Sequence, residues 1–182
     1  MHKVTIDTNC LIDVAELRED DTTYSYKDTL AIVNKHQKDL NVAVVAASGS
    51  EIRIAGNKVE NIEDFFVWLD TLGMKDLDVL KPIFYWGISF WNWAIYADDK
   101  GSQLDSNLQA LLFPALPKEN PEDPENYKWR NAKHDVLIAW AHIWNAGNVF
   151  ITRDRNFLDK KDELIALGAG NVMHPREFIN TY

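Results

Sequence analysis

The run Val42-Ala43-Val44-Val45-Ala46-Ala47 contains no polar residue, and this feature constrains the fold more than any other in the chain. A strand with one solvated face alternates apolar and polar side chains. An unbroken apolar run instead suits a parallel sheet covered on both faces. Val4-Thr5-Ile6 and Val149-Phe150-Ile151 read as further strands, and residues 77–80 and 171–173 as shorter ones. Between them the apolar spacing is helical: Leu11, Ile12, Val14 and Ala15; Tyr26, Leu30 and Val33; Ile62, Phe65, Phe66 and Leu69; Val136, Ala139 and Ile143. The last of these helices is expected to open at residues 131–135 and to stop at Gly147, the residue type that ends helices most readily. Strands alternating with helices predict an α/β fold, a three-layer sandwich around a central, mainly parallel sheet of about five strands.

Two stretches stand apart. Residues 84–93 are dense in aromatic rings and read as a helix whose rings pack in the core, with a base-stacking surface as the other reading. From about 97 to 130 the periodicity fades, and Pro114, Pro117, Pro121 and Pro124 fall within eleven residues. That segment is expected to be a long loop or loosely structured insertion in a single domain of 182 residues.

Composition matters for partners. With 19 Lys+Arg against 28 Asp+Glu the chain carries a formal charge of −9, which argues against passive binding to nucleic acid or to an anionic membrane. Carboxylates that hold divalent cations are neutralised, however, so the location of the acids decides the matter. No apolar run approaches the ~20 residues of a membrane helix. Asp7 interrupts the N-terminus before a signal-peptide core could form. Cys10, the one cysteine, fits a reducing compartment. The expectation is a soluble, cytoplasmic protein with no membrane association.

Asp7 and Asp154 each follow a strand, and Glu51 and Asp135 are expected in the first turns of helices. In a parallel sheet, strand ends and helix starts share one edge, where ligands bind. Four carboxylates gathered there repel one another unless a cation sits among them, and an all-oxygen set suits Mg²⁺ or Mn²⁺. Arg53, Lys133, Arg153 and Arg155 lie within two residues of these acids. They read either as a basic shell that holds substrate phosphates or as ordinary solvated charges.

Asp7-Thr8-Asn9 after a hydrophobic strand resembles the opening motif of the PIN-domain family of metal-dependent ribonucleases. Ser48 with Glu51 is similar to the second motif, residues 135–141 to the third, and residues 149–157 to the fourth. The resemblance spans nearly the whole chain outside residues 97–130. It implies that Asp7, Glu51, Asp135 and Asp154 are the metal-binding, catalytic acids, and that Asn9 and Thr152 orient a ligand or a water. It further implies Mg²⁺ or Mn²⁺ as cofactor, RNA as substrate, and hydrolysis that leaves 5′-phosphate and 3′-hydroxyl ends. Asn156 stands where many members carry a further acid, which implies a weaker second metal site. Some members are toxins with an antitoxin protein as partner; they are usually shorter than this chain.

Other readings compete. Ser48 with Glu51 also fits a helix capping box. His134 beside Asp135 invites a general-base role, but neighbours on a helix diverge by about 100°. His142 and Cys10 read as packing residues. An aspartate that ends the first strand also occurs in haloacid-dehalogenase-type phosphatases, yet Asn9 stands where that family needs a second aspartate. A catalytically silent scaffold that binds RNA or protein is the remaining alternative, and the seven tryptophans leave room for a homodimer interface.

Overall fold

The computed structural model describes residues 1–20, 22–54, 56–115 and 126–182. Strand β1 (His2–Ile6) runs through Asp7 into α1 (Thr8–Ala15), followed by α2 (Tyr26–Val33) and β2 (Leu40–Val45). Helix α3 (Ala47–Glu51) leads into a small antiparallel hairpin, β3 (Arg53–Ile54) and β4 (Asn57–Lys58), and then α4 (Ile62–Thr71) and β5 (Asp78–Leu80). After the aromatic segment come α5 (Asp99–Leu112), α6 (Asn126–Trp144) and β6 (Val149–Ile151). The chain closes with α7 (Arg155–Leu158), α8 (Lys161–Ala166), β7 (Asn171–Met173) and α9 (Pro175–Thr181).

Five strands form one all-parallel sheet in the order β5-β2-β1-β6-β7. Ile6 pairs with Val44 on one side and Ile151 on the other, so β1 is central and its side chains alternate between two covered faces. Val4, Ile6, Val42 and Val44 pack with Leu11 of α1 and Phe65 of α4. Val45, Phe150 and Val172 pack on the opposite face with Leu108 of α5 and Trp140 of α6. The fold is the three-layer α/β sandwich expected from the unbroken apolar runs. Among the described residues no helix is long and apolar enough to cross a membrane.

Three expectations are corrected. Residues 97–130 are not one long loop: α5 occupies 99–112, and α6 already begins at Asn126. Leu104, Leu108, Leu111 and Leu112 supply the helical stripe of α5, and Asp98 caps it by accepting from the Gly101 amide at 2.9 Å. Gly101 is required by close approach, since a Cβ there would lie 2.7 Å from Ala97 Cβ and 3.2 Å from the Trp140 ring. The same approach lets the Trp140 indole donate to the Gly101 carbonyl at 2.8 Å. Pro117, Pro121 and Pro124 lie outside the described residues.

The aromatic segment 84–93 is not a helix but a loop closed at its base. The Phe84 amide donates to the Ile95 carbonyl (2.7 Å), and Ser89 Oγ accepts from the Tyr85 amide while donating to the Ile83 carbonyl. Gly87 turns the chain at φ +73°, where a side chain is strained. Nor does Ser48 cap α3: Ala46 is its N-cap, Glu51 is its last residue, and Ser48 Oγ instead accepts from the Thr8 hydroxyl at 2.7 Å.

Candidate active site

From β1 the chain builds the sheet outward through β2 and β5, then returns to add β6 and β7 on the other side. The crevice at the carboxyl ends of β1 and β6 is therefore the topological switch point, the usual ligand position in such sheets. Asp7 follows β1 there and Asp154 follows β6 closely, each as the N-cap of a helix. Asp7 is buried. Its Oδ1 accepts from the Thr8 amide at 2.7 Å, and its Oδ2 from the Thr152 hydroxyl at 2.6 Å and from Asn9 Nδ2 at 2.7 Å. Asp154 Oδ1 accepts from the Asn156 amide at 2.7 Å, and the Asp154 amide donates to Thr152 Oγ1 at 3.0 Å. Asn9 and Thr152 thus lie against the first acid, as a supporting role would require.

Glu51 comes from the end of α3. Across from it, His134 of α6 places Nε2 2.7 Å from Ser50 Oγ and Nδ1 3.4 Å from Glu51 Oε1. Asp135 is not in the first turn of its helix, as expected, but near the middle of α6. Extending the helix back to Asn126 puts Arg130 and Asn131 one turn before His134 and Asp135 and on their faces of the helix.

All four acids, Asp7, Glu51, Asp135 and Asp154, line one open cavity of about 730 Å³. Burial, reinforced by the charges of Glu51 and Asp154, pushes the Asp7 carboxyl up to about 7 against the hydrogen bonds from Thr152 and Thr8. Burial and the charges of Asp7, Glu51 and Asp154 push Asp135 well above the usual carboxylate range. The crowding is real, but among the described residues no three His, Cys, Asp or Glu side chains form a ready-made group that could hold a metal ion. Burial is the larger cause of the rise at Asp7 and Asp135, and the neighbouring carboxylates add to it. As a donor set, hard oxygens under mutual repulsion are what Mg²⁺ or Mn²⁺ relieves.

The expected basic shell is largely wrong. Lys133 is buried and its Nζ lies 2.7 Å from both carboxylate oxygens of Asp105, because two residues along a helix turn it about 200° from Asp135. Arg153 pairs with Asp13 at 2.7 Å and lies over the Tyr24 ring. Arg155 is exposed on α7 and does not line the cavity. Arg53 alone of the four lines it, joined by Lys58 and Arg130, which sequence reading missed. The signals were present: Arg53 and Lys58 are cross-strand partners in the β3–β4 hairpin, and Arg130 is four residues before His134. His142 packs as expected, with Nδ1 2.8 Å from Thr5 Oγ1 and Nε2 2.8 Å from the Ala169 carbonyl, and Cys10 is fully buried.

Comparison with known protein families, with curated proteins and with solved structures finds no match to this chain.

Proposed function

We propose that this chain is a Mg²⁺- or Mn²⁺-dependent ribonuclease of the PIN type. The observation that carries the reading is the arrival of four carboxylates from separate segments at one cavity, on the switch point of a parallel sheet. Asp7, Glu51, Asp135 and Asp154 would hold the cation. A divalent ion bound by them supplies an acidified water and neutralises charge on the phosphodiester. The chain's own residues prepare for this. Thr152, Asn9 and the Thr8 amide fix the Asp7 carboxylate, so its orientation does not depend on the ligand. His134 stands against Glu51, between it and Ser50. Arg53, Lys58 and Arg130 place positive charge on the wall of an acidic cavity, which offers a route for RNA into a protein of net charge −9.

The test is cleavage of end-labelled single-stranded RNA with Mn²⁺, with EDTA, and by the Asp135→Asn variant. Metal-dependent cleavage that vanishes in the variant supports the reading, and metal-independent or unchanged cleavage sinks it. The second reading, a catalytically silent scaffold of the same fold, is kept because no ready-made metal group stands among the described residues. A scaffold shows no thermal shift with Mn²⁺ and no cleavage.

A further inference from the structure

A second cavity, of about 620 Å³, adjoins the acidic one and shares Ser50, Lys58 and Arg130 with it. Its walls are the aromatic loop, including Phe84, Trp86, Phe90 and Trp91. Core packing explains only part of that loop. Ile88 and Phe90 are buried, but Trp86 is 80% exposed and Trp91 78%. Large rings exposed together are uncommon on a surface without a partner. These are also held in place: the loop is closed by the Phe84–Ile95 hydrogen bond, and Arg130 Nη2 donates to the Gly87 carbonyl at 3.0 Å. Phe84 contacts both the Trp86 and Tyr96 rings, with centroids 6.3 and 5.0 Å away.

We propose that this groove is a base-binding subsite, in which Trp86 and Trp91 stack unpaired bases of a single strand whose backbone passes Lys58 and Arg130 into the acidic cavity. The inference rests on the nuclease reading for its direction. Charge decides the occupant. The two cations stand at the junction, where a phosphate would lie, whereas Glu60 and Glu63 line the groove itself and repel phosphate there. A flat, uncharged ring with hydrogen-bonding edges suits a pocket that offers tryptophan faces together with the Asn92 amide. A paired base offers no free face, so the subsite selects single strands. Because every base has a π-face, it discriminates weakly among sequences.

The test is equilibrium binding of a fluorescent single-stranded oligoribonucleotide, read by anisotropy at low salt in EDTA, which stops metal-dependent cleavage. The protein is the full chain carrying Asp135→Asn, alone or with Trp86→Ala, Trp91→Ala, Trp86→Tyr or Trp86→Leu. Each alanine variant is expected to weaken binding about ten-fold or more, the range of base–aromatic stacking, with an unchanged melting temperature. Trp86→Tyr retains most of the affinity, while Trp86→Leu, apolar without a π-face, does not. An oligomer with abasic sites is expected to bind the parent as weakly as the intact strand binds the alanine variants. Equal binding by parent and alanine variants, full affinity in Trp86→Leu, or no binding by the parent overturns the proposal. So does a loss of self-association in the alanine variants without loss of RNA binding, which would make the groove a protein interface. Hydrolysis of bis(p-nitrophenyl) phosphate by the wild-type chain with Mn²⁺ needs no base subsite. It therefore reports the nuclease reading separately: activity there with no stacking effect rejects the groove alone.

Discussion

Thr5 and Asp7 lie two residues apart on the central strand and its end; Thr5 contacts a buried titratable group, Asp7 is one, and the two groups are handled in opposite ways. Beside Thr5, His142 is neutral and satisfied. Its Nε2 faces the Ala169 carbonyl and must carry the proton, which leaves Nδ1 to accept from the Thr5 hydroxyl. Burial pushes the ring down to about 4. Asp7 receives three hydrogen bonds, more than His142, yet its carboxyl is driven up to about 7. The lesson is that hydrogen bonds do not substitute for a countercharge. His142 is satisfied as a neutral ring, whereas Asp7 is buried beside the charges of Glu51 and Asp154.

Breaking the acidic side has the largest effect. Asp7→Asn and Asp135→Asn are each expected to lower Mn²⁺-dependent cleavage by more than about 100-fold, beyond the range seen for outer-shell partners of metal ligands. Without metal, the same changes stabilise the protein. A carboxyl with its folded pKa raised from 3.8 to about 7 favours the folded state when protonated, and that advantage is lost as pH rises through this window. Asp7→Asn should therefore match wild type near pH 4 in EDTA and exceed it by up to about 4 kcal/mol above pH 7. Urea titrations at the two pH values check this; a variant equally or less stable at high pH would show that Asp7 is not under electrostatic strain.

His142 gives the opposite slope. Its folded pKa is depressed from 6.5 to about 4, so its contribution is complete above pH 6.5 and is lost as pH falls toward 4. About 3 kcal/mol should disappear across that window. The slope is best seen in the Asp7→Asn/Asp135→Asn double variant, where the opposing slopes of those two carboxylates are removed; a flat profile there would place the proton acceptor elsewhere. A cation should also sharpen the contrast. At a Mn²⁺ concentration 100 times its dissociation constant, wild type gains about 2.7 kcal/mol, some 5–10 °C in melting temperature, and the double variant gains nothing.

How much of this was legible beforehand follows from the range of the interactions involved. The unbroken apolar run after Asn41 specified a covered parallel strand locally, and the position of Asp7 and Asp154 after strands followed from it. Asp135 could be named but not placed, because the true start of α6 lies beyond a proline-rich stretch that interrupts the periodicity. Lys133 was misread for want of a long-range partner, since only the packing of α5 on α6 brings Asp105 beneath it. The aromatic loop failed as a helix for a similar reason. Its Gly87 turn and its closure by Ile95 override composition, and composition cannot tell the buried Phe90 from the exposed Trp91.

The smallest expected effect separates the two groups most cleanly. Thr152→Val and Thr5→Val are near-isosteric, and each removes one hydroxyl from a buried titratable partner. Thr5 donates to a neutral ring, so its loss should cost about 0.5–1.5 kcal/mol, the same at pH 7 and pH 8 because His142 does not titrate there. Thr152 donates to a carboxyl that ionises near pH 7, and hydrogen bonds to a charged acceptor are worth about 1.5–3 kcal/mol. Its removal drives the Asp7 pKa higher still, which steepens the loss of stability as pH rises. In EDTA the Thr152→Val deficit should therefore grow between pH 6 and pH 8 while the Thr5→Val deficit stays level from pH 7 upward. Parallel profiles over that range would mean that Asp7 is no more charged than His142, and the contrast between the two buried groups would collapse.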